Sequence, residues 1–190
     1  VQTNFGRPEE LMVCGVPVGQ HLRPPVAGRR PSSESTSPAG RQTTGDRPPP
    51  EEEPPSGGGR DPGSSIMIIL ATDAPLDSRG LGRLCVRAAF GLARTGSTCH
   101  GGSGDFVIAF SSTHRVADRP DSPLAARPAL YEQPLMDWFA LAVVESVEEA
   151  IYNSLLMART ITGRNGHVRH ALPAAEVKRL VQRTRSQADQ

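Results

Sequence analysis

The sequence predicts a layered α/β domain, and two apolar segments and two amphipathic ones indicate it. Residues 66–70 are an uninterrupted aliphatic run, and residues 106–110 form a second apolar run. Segments near 79–94 and 139–161 instead repeat apolar residues at spacings of three and four, which is typical of helices with one apolar face. We therefore expect the two runs to be neighbouring strands, buried on both faces, with both helices packed on one face of their sheet.

Ser65 stands at the start of the first strand, directly after a Pro/Gly/Ser tract. The run at 66–70 is too short for a buried helix and is rich in β-branched isoleucine, which favours a strand. A serine hydroxyl is a weak nucleophile, but cutting the peptide bond before Ser65 would create an α-amine, with a pKa of about 7.7–8.0, that can share in proton transfer. The alternative is that Ser64 and Ser65 only end a linker, since serine is common at turns.

The two helices have predicted ends. Ser78 is the expected N-cap of the first helix, which should run to about Arg94 with Ala89 on its apolar face. The second helix is expected from about Trp138 to Ile161, with Gly163 as its stop. Longer apolar periodicity in the second helix makes it the longest predicted element of the chain.

Acidic side chains accompany the apolar stripe of the second helix. Glu145 has apolar neighbours in the sequence and is a candidate for a buried carboxylate that supports the scaffold. Glu148 and Glu149 are expected on an ordinary exposed face.

Ser103 and Asp105 lie two apart in a Gly/Ser-rich loop, at the entrance to the second strand. Residues two apart in an extended segment project to the same face, so these side chains can act together. The loop is not a phosphate cradle, because its G-S-G-D pattern lacks a lysine and precedes a strand instead of opening a helix. The alternative is that Asp105 only caps or solvates the loop.

Bulk composition excludes several classes of function. A formal charge of +1 over 190 residues argues against nucleic-acid binding. The three cysteines, Cys14, Cys85 and Cys99, have neither metal-ligand spacing nor an even count, which favours a reducing, cytoplasmic compartment. His167 and His170 lack further ligands, so we expect no metal, no other cofactor and a structural role for both. No membrane span and no signal peptide is visible in the sequence.

Two segments differ in composition from the rest of the chain. Residues 23–63 are rich in Pro, Gly, Ser, Arg and Glu, and we expect a linker without stable fold, because such a segment buries too little apolar surface. A proline-rich ligand for a partner domain is the weaker alternative. Residues 115–134 are polar and proline-broken and predict a surface loop. Val1 is not a methionine, so we expect that the true start of the protein precedes it.

Several segments resemble one family. They are 65–76 (SIMIILATDAPL), 101–111 (GGSGDFVIAFS), 143–158 (VVESVEEAIYNSLLMA), 162–167 (TGRNGH) and 170–173 (HALP). Together they are similar to the β-subunit of the self-processing serine aminopeptidases, the family of L-aminopeptidase/D-amidase-esterase and the β-peptidyl aminopeptidases. The resemblance implies an αββα sandwich of the aminopeptidase/ornithine acetyltransferase type, present here as a partial domain. It also implies that residues 1–22 end the α-subunit and that 64–185 form the β-subunit.

The resemblance also implies roles for single residues. Ser65 matches the nucleophile that self-cleavage frees, and the cleavage junction is Ser64/Ser65, although Gly or Asn usually precedes the family's serine. Ser103 and Asp105 match the pair that bonds the nucleophile's hydroxyl or free amine, with Asp where some members carry Glu. Asn4 matches the oxyanion-hole asparagine, or else it only turns a strand end before Gly6.

The function expected from this resemblance is hydrolysis of N-terminal residues from short peptides, amides or esters through an acyl-enzyme. Expected partners are such substrates, the missing α-subunit segment and further copies in a homo-oligomer, with no nucleic acid and no membrane. The alternative is an inactive fragment or pseudoenzyme that acts as an interaction module. Acetyltransferase chemistry is less well supported, because that relative uses threonine where Ser65 stands here.

Overall fold

A computed structural model describes residues 1–22, 65–113, 135–166 and 168–188, together with residues 115, 118 and 130. The elements follow the order β1 (Gln2–Asn4), β2 (Ser65–Thr72), α1 (Ser78–Arg94), β3 (Phe106–Ser111), α2 (Met136–Leu156), β4 (Ile161–Thr162), β5 (Val168–Arg169) and α3 (Ala174–Ala188). Short 3-10 turns occur at Pro8–Glu10, Val18–Gln20 and Arg164–Gly166. The predictions for residues 23–63, for most of 115–134 and for His167 lie outside the described residues.

The main sheet has the strand order β1-β2-β3. β2 and β3 are parallel neighbours, with Met67 beside Phe106 and Thr72 beside Ser111. A parallel pair needs a crossover connection, and α1 supplies it. β1 pairs with β2 in the antiparallel direction. The prediction that the two apolar runs are adjacent strands of one sheet is confirmed.

Both long helices pack on the same face of this sheet, as predicted. Ile66 and Ile68 of β2 are 1% and 2% exposed beneath them. The remaining buried members of this core are Leu76, Leu84, Ala88, Leu92, Met136, Val143, Val147 and Ile151. Burial of these aliphatic side chains is the main stabilising term of the described fold.

The prediction that both strands are buried on both faces is wrong for the described residues. Met67 and Ile69, which alternate with the buried isoleucines of β2, are 45% and 63% exposed. Phe106, Ile108 and Phe110 of β3 are also exposed. Successive side chains of a strand point to opposite faces, and the described helices cover only one of them. The second face is therefore an apolar surface, which we call the open sheet face.

The N-cap of the first helix lies one residue earlier than predicted. Asp77, not Ser78, is the N-cap, and its Oδ1 accepts a hydrogen bond from the Gly80 N–H at 2.7 Å. A carboxylate at this position also interacts favourably with the helix dipole. The helix ends at Arg94 as predicted, but Ala89 is exposed and not part of the core face.

The helices α1 and α2 cross at Gly91. A Cβ at this position would lie 2.7 Å from the Val144 carbonyl oxygen and 2.8 Å from the Val147 Cβ. These distances are shorter than van der Waals contact, so the close approach of the two helices depends on the missing side chain.

The second helix ends earlier than predicted. It spans Met136–Leu156, whereas the predicted range reached Ile161 with Gly163 as its stop. Ile161–Thr162 instead pairs with Val168–Arg169 as a two-stranded antiparallel sheet. The reason is local, because β-branched residues run from Thr160 to Thr162 and favour extended backbone.

Residues 1–22 pack against the end of the chain in a second apolar cluster. Val13, Val16 and Val18 are buried there with Val177 of α3, a helix that the sequence analysis did not anticipate. Tyr152 of α2 borders this cluster.

Tyr152 and Glu148 of α2 also connect residues 1–22 and α1 to this helix. Its hydroxyl accepts from the Cys14 N–H at 2.9 Å and donates to Glu148 Oε1 at 2.7 Å, and Arg94 Nη1 lies 3.1 Å from Glu148 Oε2. Burial, followed by the Glu148 carboxylate, raises the pKa of the Tyr152 phenol. The predicted roles are thus reversed, because Glu145 is exposed and Glu148 is the scaffold carboxylate. Glu148 precedes Tyr152 by one helical turn, which brings the two side chains together.

Within the described residues, no helix is both long enough and apolar enough to cross a membrane.

We predict that Gly91→Ala destabilises the protein although alanine is the better helix former. The new methyl group meets Val144 and Val147, so the free energy of unfolding should fall by about 1–3 kcal/mol. Denaturant-induced unfolding measures the change.

Gly82→Ala is the matched control, because Gly82 lies in the same helix and a Cβ there would have no neighbour within 4 Å. This variant should instead gain about 0.5–1 kcal/mol. Equal effects of the two substitutions would contradict the close crossing.

Candidate active site

Ser65 is the first residue of β2 and is half-buried. Its Oγ accepts a hydrogen bond from the Gly104 N–H at 3.1 Å. A Cβ on Gly104 would lie 3.3 Å from this oxygen, so glycine lets the backbone approach the hydroxyl closely. A backbone N–H directed at the Oγ stabilises negative charge that develops on it.

Asp105 is held between the neighbouring strand and its own loop. The register that places Met67 beside Phe106 also brings together the preceding residues, Ile66 and Asp105. Asp105 Oδ1 accepts from the Ile66 N–H at 3.1 Å and from the Ser103 Oγ at 2.6 Å. The carboxylate is therefore oriented by two donors, one of which belongs to the residue that follows Ser65.

Ser103 is presented to Asp105 by a turn. The Ser103 N–H donates to the His100 carbonyl oxygen at 2.7 Å, which closes the turn over residues 100–103. Two neighbouring groups of this turn therefore make the contacts of the site. The Ser103 hydroxyl donates to Asp105, and the Gly104 N–H donates to Ser65 Oγ.

Asn4 lies opposite Ser65 in the antiparallel pairing of β1 with β2. Residues directly opposite in such a pair have Cα atoms roughly 4.5–5.5 Å apart. Asn4 is exposed and is the last residue of its strand, so its position accords with both of the alternatives stated for it. β1 is anchored from the other side by a hydrogen bond between the Thr3 and Ser154 hydroxyls at 2.6 Å.

The structure thus brings the four predicted residues, Asn4, Ser65, Ser103 and Asp105, to one end of the main sheet. Ser64, the other residue of the predicted junction, lies outside the described residues. Within the described residues, no group of three or more His, Cys, Asp or Glu side chains is arranged to hold a metal ion.

Sequence reasoning missed two members of this site. One is the Gly104 N–H, which the G-S-G-D motif signals only through its glycine. The other is Cys99, whose pKa is raised by partial desolvation and then by the charge of Asp105 and a hydrogen bond to it. A raised pKa keeps the thiol protonated, so Cys99 acts as a neutral neighbour of the carboxylate and not as a thiolate nucleophile.

This arrangement is suited to acyl transfer. A hydroxyl at a strand start, a backbone donor to that hydroxyl and an oriented Ser–Asp pair are among the parts that a serine nucleophile uses, together with a base that takes its proton.

The comparisons with known proteins agree with this chemistry. Residues 1–169 match the model of Peptidase family S58. The chain is 34% identical over 186 residues to a beta-peptidyl aminopeptidase BapA of Sphingosinicella microcystinivorans, covering 97% of this chain and 42% of the relative. It is 30% identical to a beta-peptidyl aminopeptidase BapA of Sphingosinicella xenopeptidilytica, with 95% and 40% covered.

A solved structure shares the fold. The L-aminopeptidase D-Ala-esterase/amidase of Ochrobactrum anthropi, described as a prototype of the serine aminopeptidases and a variant of the Ntn hydrolase fold, matches with a TM-score of 0.68 and 29% identity. The match covers 95% of this chain and 41% of that structure. The expected α/β class is confirmed, and the described residues form one main sheet and one helical layer of it. The chain spans about two fifths of the length of its relatives, and it belongs to peptidase family S58.

Proposed function

We propose that this chain is part of a self-processing serine aminopeptidase whose nucleophile is Ser65. The observation that carries the proposal is the contact of Ser65 Oγ with the Gly104 N–H, beside the hydrogen-bonded Ser103–Asp105 pair. Membership of peptidase family S58 supports the reaction class. The substrates would be short peptides, amides or esters with a free N-terminal residue.

Maturation would cut the peptide bond between Ser64 and Ser65. The Ser65 hydroxyl attacks the Ser64 carbonyl carbon, the amide nitrogen leaves and takes a proton, and the resulting ester is hydrolysed by water. This sequence balances without a co-reactant and leaves Ser65 with a free α-amine. Such an amine titrates near neutral pH, so part of it is an unprotonated base under physiological conditions.

Turnover would use the same hydroxyl on the substrate. Ser65 Oγ attacks the substrate carbonyl while its proton passes to the α-amine, with Ser103 and Asp105 orienting the transfer. Collapse of the tetrahedral intermediate expels the protonated amine or alcohol and leaves an acyl-enzyme, which water then hydrolyses. Asn4 is the proposed side-chain donor to the oxyanion, a contribution typically worth about 2.7–4 kcal/mol.

The rest of the protein would complete the fold around this site. The open sheet face exposes Met67, Ile69, Phe106, Ile108 and Phe110, a contiguous apolar surface of the kind that proteins cover. Because the chain spans about two fifths of its relatives' length, we assign that cover to the missing α-subunit segment. In this assignment 1–22 end the α-subunit, 23–63 link the subunits and 64–185 form the β-subunit. The chain by itself is then inactive.

Two further properties belong to this proposal. Cys14, Cys85 and Cys99 are all free thiols, which supports a reducing, cytoplasmic compartment. Assembly into a homo-oligomer is proposed from the family resemblance alone.

We predict that Ser65→Ala in the full-length protein abolishes both self-cleavage and hydrolysis of an amino-acid p-nitroanilide. Removing the Oγ removes the atom that forms the ester during self-cleavage and the acyl-enzyme during hydrolysis. Intact mass spectrometry reports cleavage as two chains that meet at Ser64/Ser65, and absorbance reports hydrolysis.

Ser64→Ala is the matched control, since it changes the adjacent serine and keeps the proposed nucleophile. It should still yield two chains with the second beginning at Ser65. Cleavage and wild-type hydrolysis by Ser65→Ala would refute the assignment of the nucleophile.

We predict that Ser103→Ala and Asp105→Asn each lower kcat by about 10²–10⁴-fold, because each interrupts the oriented proton transfer. The asparagine side chain of the second variant keeps an oxygen for the Ile66 N–H, so circular dichroism and melting temperature should change little.

Ser112→Ala serves as the control, because this exposed serine contacts the Thr72 carbonyl just beyond the opposite end of β3. Its kcat should equal that of the wild type. A kcat within threefold of wild type for both Ser103→Ala and Asp105→Asn would remove the pair from the mechanism.

A further inference from the structure

Glu10 and His100 form a contact between the N-terminal segment and the loop of the candidate site. Glu10 Oε2 lies 2.9 Å from His100 Nε2, and their side chains are 28% and 26% exposed. The two residues are 90 positions apart in the sequence. None of the roles assigned to Asn4, Ser65, Ser103 or Asp105 uses this pair.

The Glu10 carboxylate is also oriented by the backbone of its own turn. Glu10 closes the 3-10 turn Pro8–Glu10, and its Oε2 also accepts from the Arg7 N–H at 3.3 Å. The hydrogen bond to His100 is the largest of the interactions that hold the pKa of the Glu10 carboxyl below its ordinary value. Glu10 is therefore ionised at neutral pH and available as an acceptor.

The backbone around the pair is tightly packed. The Met12 N–H donates to the Thr95 carbonyl oxygen at 3.0 Å. Gly96 has φ of +98°, and a Cβ there would lie 1.9 Å from the Glu10 carbonyl oxygen. The N-terminal segment thus touches the first residues of the 95–105 loop through backbone atoms, and the Glu10 side chain extends this contact to His100.

His100 in turn begins the turn that carries the candidate catalytic groups. Its carbonyl oxygen accepts from the Ser103 N–H, and the next peptide unit donates the Gly104 N–H to Ser65 Oγ. A shift of His100 therefore moves Ser103 relative to Asp105 and Gly104 relative to Ser65.

We propose that Glu10 and His100 are a positioning pair, in which the Glu10 carboxylate holds the 100–104 turn in the geometry that aims Ser103 and Gly104. The inference rests on the proposed function and deepens it. Cleavage at Ser64/Ser65 puts Glu10 and His100 on different chains, so the pair also ties the two products of maturation together at the site.

The test uses the full-length protein with Glu10→Ala, Glu10→Gln and His100→Ala, plus the double variant Glu10→Ala/His100→Ala. A small misplacement of catalytic groups costs up to about 10²-fold, so each alanine variant should lower kcat by about 10–100-fold with KM changed less than threefold. Glu10→Gln keeps an acceptor oxygen and should recover most of the loss. Because the two residues act as one unit, the double variant should be no slower than the slower single variant.

A second readout does not depend on activity. Amide hydrogen exchange in residues 100–104 should become faster in Glu10→Ala and His100→Ala, while exchange in α1 stays unchanged. It is measured in a Ser65→Ala background as well, so it remains informative if the protein is not cleaved. Glu9→Ala is the matched control, because Glu9 is the exposed neighbouring carboxylate of the same turn, and it should leave kcat and exchange at wild-type values.

The outcomes separate this proposal from the one it rests on. If Ser65→Ala abolishes hydrolysis but the pair variants leave kcat and exchange unchanged, only the positioning role is overturned. Multiplying effects in the double variant, or a loss of activity that equals the loss of folded protein, also overturn it. Activity that survives Ser65→Ala refutes the proposed nucleophile, whatever the exchange data for the pair show.

Discussion

The candidate site depends on the parallel pairing of β2 with β3. The register that sets Met67 beside Phe106 also sets Ile66 beside Asp105, and the Ile66 N–H then reaches the Asp105 carboxylate at 3.1 Å. One residue earlier in each segment, the same alignment brings Gly104, just before β3, to Ser65. A slip of one residue would turn the buried isoleucines of β2 outward and separate these groups, so the core that stabilises the sheet also enforces the site geometry.

That core is one-sided in the described part of the chain. Helices α1 and α2 cover Ile66 and Ile68, whereas the open sheet face leaves Ile69 and Phe106 exposed. Aliphatic and aromatic side chains on both faces are typical of a sheet between two layers, and the solved relative is more than twice as long as this chain. The one-sided core and the partial coverage of the relatives both support the proposal that β2 is an inner strand of a larger fold.

The N-terminal segment is tied to the rest at several separate points. The Cys14 N–H donates a hydrogen bond to the Tyr152 hydroxyl, and the Met12 N–H donates one to the Thr95 carbonyl oxygen. The Glu10 carboxylate contacts the His100 ring. Each contact joins residues that would lie on different chains after cleavage before Ser65. Maturation of such a precursor removes a covalent bond but leaves these contacts, together with the cluster of Val13, Val16 and Val18, to hold the products together.

The sequence by itself determined most of the local structure, and it indicated the class of reaction that we propose. An aliphatic run predicted β2, and apolar periodicity predicted α1 and α2. The resemblance indicated Ser65, Ser103 and Asp105, which the structure brings together where β2 begins and just before β3. Strands and helices depend on residues that are close in the sequence, which is why the sequence alone predicts them. The early end of α2 was missed although its cause, the β-branched run from Thr160 to Thr162, is also local.

Only the tertiary structure decided which apolar face is covered, that Glu148 and not Glu145 hydrogen-bonds to Tyr152, and that Glu10 contacts His100. Each of these depends on contacts between residues far apart in the sequence. The period of apolar residues shows that a face is apolar, but it does not show what packs on that face. It also places a charged residue on a helix without showing which distant residue that charge contacts.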